Sequence, residues 1–406
     1  MNRKIYQQLK NLIILLVSLV AVSLSAQDFK VGALSYNIIG TNIVELCAVD
    51  SNVVMVDIPD SVTNNDITYS VVEIADGAFS DCDALESVFI PSSVTRIRIL
   101  AFYTCKSLIS ITVDAANPKY DSRDNCNAVI DTKQNMLVVA CKNTTIPQSV
   151  MRIKEHAFSA VEEYNNKIIN THSGVWYFDD CLIIARGLYF CAIKDGTRLI
   201  ADNAFFFGDA LPQYFLDEVY ADYGGPQNFC EGCNSFLDVY DAIVYREAPY
   251  FADHTFNLDF ISSYNRLSRV IIPNSVKSIG ARAFAGAKFK NITIPSSVEY
   301  IGESAFYGCD SLVSVDIPDS VVTLERMAFY GCYNLKQVRI GNAITTLEHS
   351  VFSGCESLSD VEIGNGVVHI DSDAFSGCTS LKEISIPNNV MTISDQAIPE
   401  HCEVYF

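Results

Sequence analysis

The 14 cysteines and 6 histidines are the side chains of this 406-residue chain best suited to do chemistry, and their spacing says what chemistry that would be. Cys82, Cys105, Cys309, Cys332, Cys355 and Cys378 each follow a phenylalanine by three positions. A cysteine that recurs in one slot of a repeat is accounted for by packing, because a free thiol behaves as a small apolar group. Equivalent atoms in stacked coils lie about 4.8 Å apart, but their Cβ vectors run parallel and fit disulfide geometry poorly. A ladder of reduced thiols is the expectation. Cys126/Cys141 and Cys181/Cys191 differ, since the first pair is centred on Lys133-Gln134 and the second on Arg186. If hairpins turn there, each pair faces across its hairpin, and outside the cell distance and compartment permit two disulfides. A register slip of one residue would separate them.

The remaining chemistry is sparse. Cys230-x-x-Cys233 has no second ligand pair of matching spacing, so a local disulfide or two thiols is expected rather than zinc. His156, His172, His254, His349, His369 and His401 are scattered, and His156 and His349 fall in variable slots that read as solvated. Triads assemble in space rather than in sequence, yet nothing resembles a nucleophile elbow and little of the logic of a catalytic site is met. Asp121, Asp124, Asn125 and Asn127 are rich in oxygen but lack the glycine and terminal glutamate of a calcium loop, and read as turn-forming residues. No catalytic residue, metal or cofactor is expected.

The elements that position these residues repeat. Phe306, Phe329, Phe352 and Phe375 recur every 23 residues, a period that marks stacked repeats, each too short to bury its own apolar face. Within one unit, Ser304-Ala305-Phe306-Tyr307 is expected to form a helical turn, ended by Gly308 in the left-handed region. Leu312, Val315 and Ile317 point inward and Ser314 and Asp316 outward, as in a strand. Ile317-Pro318-Asp319-Ser320-Val321 reads as a turn. Gly341 and Gly364 replace the proline in later units and are expected to bend the chain there.

Residues 1–26 have a basic start, an apolar run over 12–22 and small residues before Gln27, the pattern of a secretory signal peptide; the run is short for a spanning helix. Residues 27–57 read as three strands and a candidate N-terminal β cap. Repeats fill 58–205, interrupted by two hairpins, one turning at Lys133-Gln134 and the other at Ala185-Arg186-Gly187. Residues 206–265 are irregular, either degenerate units or an excursion from the stack; long irregular segments on a rigid scaffold often carry function. Regular repeats return over 266–406, with His401 to Phe406 as the closing strand. No later stretch could span a membrane, and the chain stops at Phe406 without an anchoring tail.

Composition sets outer limits. With 49% hydrophobic and 19% charged residues the chain can bury a large core. The formal net charge is −20, and the expected leader removes Arg3, Lys4 and Lys10 but no acid. Nucleic acid and anionic membranes, which need a basic footprint, are poor partners.

The unit S-V-x-x-I-G-x-x-A-F-x-G-C-x-x-L-x-x-V-x-I-P, seen from Val298 to Pro318, resembles the BspA-like class of leucine-rich repeats. Asn117-Pro118-Lys119-Tyr120 leading to Ile146-Pro147 is similar to an insertion that recurs in such proteins. The resemblance implies a β-rich α/β fold, a curved right-handed superhelix of short parallel strands. It further implies secretion or surface display by a bacterium or parasite, and attachment to host matrix or plasma proteins or to other cells. It brings no catalytic residue. By repeat register the outward strand positions are Ser87/Phe89, Ser110/Thr112, Asn291/Thr293, Ser314/Asp316, Gln337/Arg339, Asp360/Glu362 and Glu383/Ser385. Small, polar and mixed, they suit a broad protein or glycan surface. The expected function is non-catalytic binding of an extracellular protein or glycan. The alternatives are a structural envelope component and a secreted hydrolase built on 206–265.

Overall fold

The computed structural model describes residues 27–80, 82–160, 168–171, 175–185, 188, 190–205, 265 and 267–406. The expected leader, Cys230 and Cys233, His172, His254 and all of the irregular segment except Asn265 lie outside them.

One coil shows how the sequence makes the fold. In the strand Ser314–Asp316, Val315 is buried and Asp316 exposed, and Ile317 just beyond is fully buried. This strand pairs in parallel with Gln337–Arg339, and that strand in turn with Asp360–Glu362. After the turn at 318–320 a second short strand, Thr323–Leu324, pairs in parallel with Tyr300–Ile301. In later coils Thr346–Leu347, His369–Ile370 and Thr392–Ile393 occupy the same slot and pair in parallel as a sheet of their own. Each coil thus feeds two parallel ladders, and backbone groups that one short strand leaves open are satisfied by the next coil. Glu403–Tyr405 closes the first ladder against Glu383–Ser385, as expected of a terminal strand.

The third side of the coil corrects the expected helical turn. The amides of Ser304, Phe306 and Gly308 donate to Arg326, Ala328 and Tyr330 carbonyls of the next coil at 3.1, 2.8 and 2.8 Å. Those of Ala305 and Tyr307 close local turns onto Gly302 and Ser304. A helix would use every amide locally, so this alternation excludes one. The backbone accommodates it with left-handed residues at Ser304 (φ 56°) and at Gly308 (φ 61°), the latter as the sequence suggested. Ser350 and Asp373 occupy the Ser304 slot with the same φ sign. Among the described residues the only helix is one 3-10 turn, Arg123–Asn125. Among the described residues the architecture is β-rich, without the α component the expected class included.

Phe306, Phe329, Phe352 and Phe375 form an interior column with ring centroids 4.9, 5.5 and 5.5 Å apart and planes within 11°. All four are completely buried. Burying a side chain of this size contributes about 2–3 kcal/mol relative to leaving it in water, and stacked rings add to that. The ladder thiols line the same interior. Cys309, Cys332, Cys355 and Cys378 donate to the carbonyls of Phe284, Phe306, Phe329 and Phe352 one coil back at 3.2–3.3 Å. Burial pushes the Cys378 thiol up to about 12, and raises Cys309 and Cys355 well above the ordinary range.

At the N-terminus the strands Phe29–Val31, Leu34–Gly40 and Ile43–Val49 pair antiparallel, and Ile43–Val49 then joins Ile67–Ile74 in parallel. The hairpin Ser61–Asn64 to Ile67–Ile74 was not read from the sequence. Its signal is Asn65-Asp66, both at positive φ, as a two-residue hairpin turn requires.

Both insertions join the second ladder. The first hairpin, Ala128–Asp131 to Met136–Ala140, turns over 132–135 as expected, and Met136–Leu137 then pairs in parallel with Arg152–Ile153. The second differs from expectation. Val175–Phe178 pairs with Cys181–Ala185 about a turn at Asp179-Asp180, while Arg186 and Gly187 of the expected turn lie outside the described residues. Asp179 takes positive φ there, and Phe178 reaches inward to pack, tilted, against Phe158 at 4.6 Å between ring centroids.

The described residues on either side of the irregular segment pair with one another. Leu199–Ile200 pairs in parallel with Ser278–Ile279, and Phe190–Ala192 with Arg269–Ile271, while Phe205 stacks on Phe284 at 4.9 Å. The stack therefore continues directly across it. Asn265 makes the join, its Nδ2 donating to Phe205 O at 3.1 Å and Ala285 O at 2.9 Å, and its Oδ1 accepting from Leu267 N at 3.0 Å.

Candidate functional site

The outward strand positions are held by the first ladder, because Val315 and Val338 between them are anchored in the core. Asp316, Gln337, Asp360, Glu362, Glu383 and Ser385 are exposed, and Ser314 and Arg339 half-buried. Ser314, Gln337 and Asp360 stand in one register, and Asp316, Arg339 and Glu362 in the next. Asn291 joins through a single bridge to Ser314, whereas Thr293, also exposed, lies outside any strand. Glu403 and Tyr405 extend the surface by one coil, an extension the repeat register did not include. In the N-terminal part Ser87/Phe89 and Ser110/Thr112 align in the strands Ser87–Ile90 and Ser110–Val113. Met55 and Asp57 precede them in register, and these three strands form a separate sheet.

Hydrogen bonds cross-link part of this surface. Arg339 reaches Asp316 Oδ1 at 2.9 Å and Asp319 Oδ1 at 2.8 Å, and Gln337 donates to Asp360 Oδ2 at 2.9 Å. The Asn342 backbone N–H and the Arg339 guanidinium hold the Asp319 carboxyl below its ordinary range. Arg339 is thus neutralised in place, while Glu362 and Glu383 have no side-chain partner among the described residues. Toward the C-terminal end the surface is acidic.

The four hairpin cysteines are not brought together, and the two expected disulfides are corrected. Each is a thiol rather than a half-cystine. The first hairpin has a bulge between Val129 and Ile130, so Ala128 lies opposite Ala140 and Cys126 faces the position of Lys142. Cys126 packs with Ala128, Ile130 and Leu137, whereas Cys141 packs with Val129 and Val139 in a different part of the core. Cys141 donates to Asn127 O at 3.1 Å. In the second hairpin Cys181 lies opposite Phe178, and Cys191 is on another strand beside Val270.

Two other polar groupings emerge in the structure. His349 Nε2 lies 3.2 Å from Ser350 Oγ, and its Nδ1 3.0 Å from Ser372 Oγ and 3.9 Å from Asp373 Oδ2. This has the composition of a hydrolytic triad but not its geometry, since 3.9 Å is no hydrogen bond. The amides of Ser350, Val351 and Phe352 all donate to carbonyls, so none is available there to stabilise an oxyanion. The run at 121–127 closes on itself: Asp121 pairs with Arg123 at 2.5 Å and accepts from Thr132 at 2.8 Å. Among the described residues no group of three or more His, Cys, Asp or Glu side chains is arranged to hold a metal ion, and no helix is long and apolar enough to cross a membrane.

With two parallel ladders and the recurring Phe/Cys slots in view, the class of protein is that of leucine-rich repeats. A family model described as the BspA type leucine rich repeat region matches in 6 copies, over residues 58–125, 259–366 and 301–404. The chain belongs to this family. Among solved structures it is similar to a leucine rich cell surface protein from Faecalibacterium prausnitzii A2-165, with 21% identity, 93% of this chain and 87% of that chain covered, and a TM-score of 0.30. It is also similar to a leucine-rich repeat protein from Bacteroides ovatus ATCC 8483, with 22% identity, 93% and 90% covered, and a TM-score of 0.30. A third is the pneumococcal vaccine antigen PcpA, with 16% identity, 93% and 92% covered, and a TM-score of 0.33. No curated protein sequence matches the chain.

Proposed function

We propose that the chain is a non-catalytic binding protein, secreted or displayed at the cell surface, that attaches to an extracellular protein or glycan, such as host matrix, plasma proteins or other cells. In this reading residues 1–26 are a removed leader and 27–57 a cap. Residues 58–205 and 266–406 are the repeats of a curved right-handed superhelix, and 206–265 is an insertion. The contact surface is Asn291, Thr293, Ser314, Asp316, Gln337, Arg339, Asp360, Glu362, Glu383 and Ser385.

The observation that carries this reading is the in-register row of mostly exposed polar side chains on a rigid ladder, in which Glu362 and Glu383 have no side-chain partner among the described residues. A surface whose groups are already held in place loses little conformational entropy on binding. Purified chain should retain at least one of immobilised matrix proteins, glycans or bacterial cells. The Glu362→Gln/Glu383→Gln double variant, both sites exposed and free of core contacts, should weaken that retention about tenfold if the row is central to the interface. Retention unchanged in the double variant would move the contact site elsewhere.

A further inference from the structure

The second ladder carries a cleft that the repeat pattern does not account for. The turn of the first hairpin, with Lys133 and Gln134, lines an open cleft of about 700 Å³ together with Arg152, Tyr300, Thr323 and Glu325. That is within the range of small-molecule sites. The coils beneath it keep the glycine of the repeat unit after the second-ladder strand, at 280 and 302, where later coils carry an acid, at Glu325, Glu348 and Asp371. A Cβ at either glycine would stand 2.5 or 2.6 Å from the backbone of the preceding coil, so these coils lie close together and present no side chain from that position. Across them Arg152 extends to stack under the Tyr300 ring, 5.3 Å from its centroid, and reaches Asp202 at 3.5 Å. Its Nε is buried with no hydrogen-bond partner among the described residues. Tyr300 OH in turn donates to Glu325 Oε1 at 3.2 Å, which fixes the ring against the wall.

Charge does not select the ligand here. The other carboxylates of the cleft are neutralised, Glu299 by Lys277 at 2.7 Å and Glu303 by Arg326 at 3.2 Å. Arg152 faces Asp202, which leaves one exposed ammonium, Lys133, and one carboxylate, Glu325, of opposite sign. A strongly anionic or cationic ligand would meet a like charge on one side. The remaining features are a tyrosine held rigid between Arg152 and Glu325, an apolar spot at Val322, and closely spaced donors and acceptors from Gln134, Thr323 and Glu325. An aromatic surface with an apolar body and polar rim matches a molecule with apolar ring faces and many hydroxyls. We infer that this cleft binds a neutral oligosaccharide, gripped between the hairpin turn and the Tyr300 wall. The site lies on the other ladder from the strand row proposed above and does not depend on that row.

The test is calorimetric titration of the full purified chain with neutral probes (chitotriose, maltotriose, cellotriose and lactose), beside a heparin oligosaccharide and a lysine-rich peptide. At least one neutral probe should bind with submillimolar Kd. Lys133→Ala/Gln134→Ala, confined to an exposed turn, and Glu325→Gln, nearly isosteric, should each weaken binding about tenfold, with thermal melts confirming that both variants fold. Three results would overturn the inference: no neutral probe binding at millimolar concentration, binding unchanged in both variants, or binding of a charged probe alone.

Discussion

Phe329 lies between two stacked rings and is completely buried, so Phe329→Ala removes contacts on both sides and leaves a cavity the rigid coils cannot fill. A loss of about 3–5 kcal/mol is expected, read as a lowered urea midpoint. The thiols next to that column make a sharper prediction. Buried, and donating to carbonyls one coil back, Cys309, Cys332, Cys355 and Cys378 should resist a thiol reagent in the native chain. They should react once urea is added, whereas half-buried Cys47 and Cys402 should react before them. Rapid native labelling of all four would mean that the interior column is not formed. The identity of these residues was legible in the sequence because slot and residue type repeat together. The first pair of hairpin thiols was misjudged because a bulge shifts the partners beyond it by one position, and the second because its hairpin turns earlier, at Asp179-Asp180, and leaves Cys191 on another strand; no spacing rule reports either.

At the scale of elements, the turn between the two ladders depends on close approach rather than on bending alone. A Cβ at Gly341 would stand 2.3 Å from Pro318 O, at a backbone conformation any residue adopts. Gly341→Ala should therefore force neighbouring coils apart and cost about 1–3 kcal/mol. The splice at Asn265 is comparable. Asn265→Ala leaves two buried carbonyls without their donor, with an expected loss of about 1–3 kcal/mol, while the near-neutral change would be at an exposed site such as Ser385. The buried Asp202 carboxyl adds a pH dependence. Burial pushes its pKa up to about 6, against the opposing pull of Arg152, from an ordinary value near 4. The folded chain holds this proton more tightly than the unfolded one, so the contribution is full below about pH 4 and lost as pH climbs through about 6. The stability of the native chain should fall across that window by about 2 kcal/mol more than that of Asp202→Asn. An identical slope in the two proteins would show that Asp202 titrates normally.

Over the whole molecule the acidic excess is unrelieved along the second ladder, where Glu325, Glu348 and Asp371 follow one another a coil apart. Burial, with Asp371 and Glu325 adding repulsion, raises the Glu348 carboxyl above its ordinary range. With a formal charge of −20, added salt should raise the melting temperature by screening this repulsion. A melting temperature that falls with salt would mean that ion pairs such as Arg339 with Asp316 dominate instead. Because each coil touches only its neighbours, damage in one coil should spread by interface loss rather than by global collapse.

The period of 23, the inward and outward alternation and the family followed from sequence alone, since a repeat states its packing once per unit and the copies agree. The polar row of the first ladder was readable for the same reason, as strand register carries over from coil to coil. Only the tertiary structure decided where insertions rejoin the stack, which cysteines face which, and that Arg152 reaches Tyr300 beside the first hairpin's turn. Those contacts join residues far apart in the chain, Asp202 and Ala281 being separated by 79 positions, and no local pattern encodes which distant coil a break will close against.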